Sequence, residues 1–140
     1  MRRILIGIGN QERTDDGVGL VVADRLKDRF DAVVKIRLFL PEDLLSLRGY
    51  DEAVIIDGAF GIPEGEVRRY RVDDLPCSKT LTHIHDIGNL LRLGEMLYRD
   101  FPKKITIFGI GITDTRFGDQ LTERMKGRLD RICQDILELL

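Results

Sequence analysis

Residues 4–19 read I-L-I-G-I-G-N-Q-E-R-T-D-D-G-V-G. Ile4, Leu5, Ile6 and Ile8 are apolar without strict alternation, the pattern of a strand buried on both faces. Gly7 and Gly9 permit a tight turn, and Asn10 tolerates the backbone such a turn needs. Thr14, Asp15 and Asp16 lead into Gly17-Val18-Gly19, where an amphipathic stretch begins that runs to about Phe30. A strand, a glycine turn and two carboxylates at a helix start predict the carboxyl edge of an α/β sheet. Open sheets of this class bind ligands at that edge.

Outward from this stretch the chain alternates strand and helix patterns. Val18, Val21, Val22, Leu26 and Phe30 recur at helical spacing, and Val33 to Phe39 reads as a second strand. Pro41-Glu42-Asp43 starts a short helix that Gly49 ends. Glu52 to Ile56 is a third strand, again buried on both faces and finishing at Asp57. Turn chemistry at 62–65 precedes Glu66 to Val72, an exposed edge strand. A loop holding Pro76 and Cys77 is followed by a helix from Thr82, with Ile84, Ile87, Leu90, Leu91, Leu93 and Leu97 apolar. Lys104 to Ile110 is the last strand. A C-terminal helix carries Leu121, Met125, Leu129, Ile132, Ile136 and Leu140 as its stripe. The order β-α-β-α-β-β-α-β-α predicts an α/β fold with a largely parallel sheet and helices on both faces.

Bulk properties narrow the function. A chain of 140 residues is expected to form a single domain, residues 1–140, burying about 70% of its unfolded surface. A net charge of −2 gives no basic field, so no nucleic-acid partner is expected. No apolar stretch approaches the ~20 residues of a membrane span, and the N-terminus lacks a signal-peptide pattern. Cys77 and Cys133 fit no metal-ligand spacing. These features predict a cytoplasmic protein without a membrane partner, and a monomer is expected.

Three polar positions stand out. One of Asp15 and Asp16 suffices to cap the helix that follows; the other has no structural duty. Asp57 ends a buried strand, where a carboxylate is costly unless it is paired, hydrogen-bonded or metal-bound. His83 and His85 are the only histidines, both in the first turn of the Thr82 helix. Helical geometry turns His85 away from the Ile84–Ile87–Leu91 face and leaves His83 nearer the apolar arc. Carboxylates and an imidazole at one sheet edge suit a divalent first-row metal with open positions. Spacing alone does not bring the groups together.

The motifs G-I-G-N-x-x-x-T-D-D-G-V-G, V-I-I-D-G-A-x-G-x-P-x-G and T-H-I-H-D-I-G-N-L-L, with Gly118, Leu121, Thr122 and Met125 before the last helix, resemble the [NiFe]-hydrogenase maturation endopeptidases. The resemblance spans nearly the whole chain, with the motifs in the family's order. It implies a three-layer α/β/α sandwich on a five-stranded sheet of order 2-1-3-5-4, with residues 66–72 as an antiparallel edge. It also implies removal of the C-terminal extension of a [NiFe]-hydrogenase large-subunit precursor after nickel insertion. The family's nickel-recognition residues fall on Asp16, Asp57 and His85, and these are the expected catalytic and metal-contacting set. The nickel is expected to arrive with the substrate, and no nucleotide is expected. The first ligand is often glutamate in that family, and the family's G-I-x-P is Gly109-Ile110-Gly111-Ile112 here. His83 is an extra histidine to which the resemblance gives no role, and it is not expected to be part of the set.

Held by substrate thiolates, such a metal would complete its shell with these side chains, so only a loaded substrate would be recognised. Cleavage by an aspartyl or metallo route is compatible with this set: the ion could polarise the carbonyl or activate water, or a carboxylate could act as base. Other readings are weaker. A peptidyl-tRNA hydrolase-like enzyme also opens with a strand and G-x-G-N, but it needs an early histidine and a basic groove. Glycines 7, 9, 17 and 19 do not make a dinucleotide fingerprint. A non-cleaving, nickel-dependent docking module for the same precursor would share every motif.

Overall fold

The computed structural model describes residues 1–75 and 82–140; the loop expected around Pro76 and Cys77 lies outside them. Five strands form one sheet: β1 (Arg3–Ile8), β2 (Ala32–Ile36), β3 (Glu52–Ala59), β4 (Val67–Arg71) and β5 (Lys104–Gly111). Their order is β2-β1-β3-β5-β4. β1 pairs in parallel with β2 and β3, β3 pairs in parallel with β5, and β4 is antiparallel on the outer edge of β5. This is the expected architecture and strand order.

The apolar runs explain the layers. Ile4, Ile6, Ile8, Ile55 and Ile107 face one side, where they meet Leu44, Leu47 and helix α2 (Thr82–Leu97) through Ile84, Ile87 and Leu91. Leu5, Val54, Ile56, Phe108 and Ile110 face the other. There they meet α1 (Val18–Leu26) and the C-terminal helices α3 (Glu123–Lys126) and α4 (Leu129–Leu139) through Val22, Met125, Ile132 and Ile136. All eight residues of β3 are buried, as a central strand covered on both faces requires. No helix among the described residues is long and apolar enough to cross a membrane.

Several boundaries differ from the sequence reading. The first helix opens with a 3-10 turn at Thr14–Gly17 and closes with another at Lys27–Arg29. The 41–47 segment is 3-10 throughout, and β2 stops at Ile36. β3 continues past Asp57 to Ala59 because β5 pairs with it that far, Asp57 opposite Gly109 and Ala59 opposite Gly111. The C-terminal helix is two helices. Thr122 caps α3 by accepting from the Met125 N–H at 3.2 Å, and the chain resets at Gly127 and Arg128 before α4. The apolar stripe survives the break, because Met125, Leu129, Ile132 and Ile136 all remain buried.

Candidate active site

The chain reverses direction across the sheet between β1 and β3: from β1 it goes outward to β2, then returns to β3. The crevice at such a switch point is where α/β sheets hold ligands. Two glycines let α1 close onto it. A Cβ on Gly19 would run into the Ile8 carbonyl oxygen and lie 2.8 Å from that of Ile56; one on Gly9 would meet the Asp16 carbonyl.

The turn that carries the two aspartates is tightly tied. Asn10 Oδ1 accepts from the Glu12 N–H at 3.0 Å, and the Asn10 N–H donates to the Asp16 carbonyl at 3.1 Å. Thr14 adopts a left-handed φ of 46°, unusual for a β-branched residue. The segment after β5 holds it there: the Thr14 N–H donates to Gly118 at 3.1 Å and its hydroxyl to the Asp114 carbonyl at 2.8 Å.

The paired aspartates have separate duties. Asp15 is fully buried; its Oδ1 accepts from the Thr122 N–H at 2.8 Å and its Oδ2 from the Thr122 hydroxyl at 3.0 Å. It thus secures the start of α3 rather than capping α1. Asp16 is half-buried and feels the charges of Asp57 and His83. Burial first, and then the charge of Asp57, push its carboxyl above the usual range, against the pull of His83, the Asn10 N–H and Arg13.

Asp57 is 2% exposed, and burial raises its pKa while the contact with His83 opposes the rise. Asp57 Oδ2 lies 2.8 Å from Nδ1 of His83, which is 47% exposed. The separation is that of an ion pair, but the approach lies outside the directional range of a ring N–H hydrogen bond, so Oδ2 is left without such a partner. The same contact, with the charges of Asp57 and Asp16, lifts the His83 pKa above its ordinary value despite desolvation.

The structure therefore brings Asp16, Asp57 and His83 within electrostatic reach of one another. His85 is half-buried, and its Nδ1 is enclosed with no hydrogen-bond partner. Among the described residues, no three His, Cys, Asp or Glu side chains are already set to hold a metal ion. The contact of His83 with Asp57 is the feature sequence reasoning did not use, although placing His83 nearer the apolar arc was its signal. That arc is the side α2 turns to the sheet, so the histidine beside it reaches the strand end. A groove of about 520 Å³ between α1 and residues 119–129 is lined by Leu20, Arg25, Gln120 and Lys126 and includes neither histidine.

The three-layer fold and its acidic sheet edge define the class to which the comparisons point. The sequence profile of the HycI family, hydrogenase maturation proteases, matches residues 40–139, and the chain belongs to that family of peptidases. Similar solved structures include the [NiFe] hydrogenase maturation protease HybD from Thermococcus kodakarensis, 21% identical, covering 99% of each chain with a TM-score of 0.78. The hydrogenase maturating endopeptidase HybD from E. coli is 22% identical, covering 100% of this chain and 92% of that one with a TM-score of 0.79. The [NiFe] hydrogenase maturation protease HycI from T. kodakarensis KOD1 is 23% identical, covering 99% and 92%, with a TM-score of 0.73. At these identities the likeness shows the fold. A comparison with curated proteins gave no match.

Proposed function

We propose that this protein cuts the C-terminal extension from a [NiFe]-hydrogenase large-subunit precursor once nickel is in place, and that Asp16, Asp57 and His85 read the nickel the substrate carries. One observation supports this set above others. His85 Nδ1 is a buried polar atom without a hydrogen-bond partner, and Asp57 Oδ2 has the His83 contact but no hydrogen bond; a buried polar atom left unsatisfied costs about 1–3 kcal/mol. A cation delivered by the substrate would relieve both. Two carboxylates and one imidazole leave coordination positions for substrate thiolates, so recognition depends on the loaded state. Burial raises the carboxyl pKa of both Asp16 and Asp57, and the charge of Asp57 adds to the rise at Asp16.

A second reading substitutes His83 for His85, on the strength of its 2.8 Å contact with Asp57. In the first reading His83 is the counter-charge that steadies Asp57 before substrate arrives. The test mixes the protein with nickel-loaded and nickel-free precursor and follows the mass of the large subunit. Loss of the tail from the loaded form alone is the expected result. Equal cleavage of both forms sinks nickel gating, and tight binding without cleavage makes the protein a docking module.

A further inference from the structure

Of the six phenylalanines in the chain, Phe39, Phe101 and Phe108 are buried, and Phe30 is packed against the α1 and α4 side of the core. The remaining two, Phe60 and Phe117, are 52% and 78% exposed. Both stand at the carboxyl edge of the sheet, and each belongs to a loop that bounds the site. Phe60 follows the last residue of β3, three residues beyond Asp57, which keeps its Cα within about 11 Å of that residue. Phe117 lies in the segment after β5, with its ring 3.9 Å from the Arg13 guanidinium. Arg13 is in turn three residues before Asp16.

The Phe117 loop is held in place rather than left loose. The Gly118 N–H donates to the Glu12 carbonyl at 3.0 Å, the Thr14 N–H donates to that of Gly118 at 3.1 Å, and Arg13 bridges Gly118. Phenylalanine and arginine are among the residue types enriched at protein interfaces, and here Arg13 stacks on Phe117. Rigid presentation lowers the entropy lost when they are covered.

We infer that Phe60 and the Arg13–Phe117 pair form a docking rim that seats the folded body of the precursor around the bond to be cut. The inference rests on the function proposed above: Phe60 directly follows the strand that carries Asp57, and the Phe117 loop is bonded to the turn that carries Asp16, so a polypeptide that brings its metal to both acids is placed to meet both loops. The rim should contribute to binding before and after the chemistry alike, and should therefore appear in KM rather than kcat.

The test is the double variant Phe60→Ser/Phe117→Ser, checked for unchanged far-UV circular dichroism, measured for binding to nickel-loaded precursor and for cleavage kinetics. Expected are rises of about tenfold or more in both Kd and KM, with kcat within about twofold of wild type, and recovery in Phe60→Tyr/Phe117→Tyr. Met96→Ser is the control: Met96 is 83% exposed but lies about 20 Å along α2 from His83, and both constants should stay at wild-type values. Unchanged Kd and KM in the double serine variant overturn the rim, as does a loss confined to kcat. A wild type that self-associates through these residues, with precursor binding unaffected by the variant, assigns the surface to a second copy of this chain and also overturns it. Binding without cleavage by the wild type overturns the peptidase reading instead and leaves the rim to be judged on Kd.

Discussion

Replacing Asp15 and Asp16 one at a time should give opposite results, although they are neighbours in sequence. Asp15 is fully buried, and its two carboxylate oxygens take both the N–H and the hydroxyl of Thr122, at 2.8 and 3.0 Å. Hydrogen bonds to a charged group contribute about 1.5 kcal/mol or more each, and the Thr122 N–H would be left unpaired. Asp15→Ala should therefore cost about 3–4 kcal/mol, or roughly 10 °C in Tm for a chain of this size. Asp15→Asn keeps one acceptor oxygen and should cost about half as much. Asp16 makes no comparable bonds and is crowded by the charge of Asp57, so Asp16→Asn should leave the midpoint unchanged or raise it while abolishing cleavage. The chain has no tryptophan, so urea unfolding is best followed by far-UV circular dichroism. Equal destabilisation by Asp15→Ala and Asp16→Asn, or a cost below about 0.5 kcal/mol for Asp15→Ala, would refute this division of labour.

Gly19→Ala should destabilise by about 2–3 kcal/mol and reduce cleavage, because its Cβ would press on the carbonyls of Ile8 and Ile56 and lift α1 from the crevice; denaturation midpoints and activity report both. His85→Ala should eliminate cleavage of loaded precursor, whereas His83→Ala should slow it, and the reverse order of severity in a rate comparison would favour His83 as the metal contact. Asp114, held down to about 2 from an ordinary 3.8 mainly by its contact with Arg116, stabilises the fold only while ionised. That contribution is present above about pH 4 and is lost as pH falls through about 2, so Asp114→Asn should flatten the stability profile over that interval.

The sheet was legible because its strands are apolar runs buried on both faces, and Ile4–Ile8, Ala53–Ile56 and Ile105–Ile110 satisfy that demand without help from distant residues. Where local patterns compete with tertiary pairing, the sequence reading slips. Asp57 looks like a strand end because it is charged, yet the strand continues to Ala59 through its pairing with β5. The C-terminal stripe hides the break at Gly127, since both helices present the same apolar face.

The carboxylates could be singled out but not given their separate duties, because the partner that claims Asp15 is Thr122, more than a hundred residues along the chain. The histidines show the same limit in another form. A helical wheel takes one direction as inside and scores a polar residue by its distance from it. At the first turn of α2 the inside is both apolar core and the open end of β3, so lying near the apolar arc brings His83 to Asp57 rather than into a dry pocket. A wheel built on hydrophobicity treats those two outcomes as one. The position of the sheet edge decides between them, and that edge is made by strand pairings the helix itself does not contain.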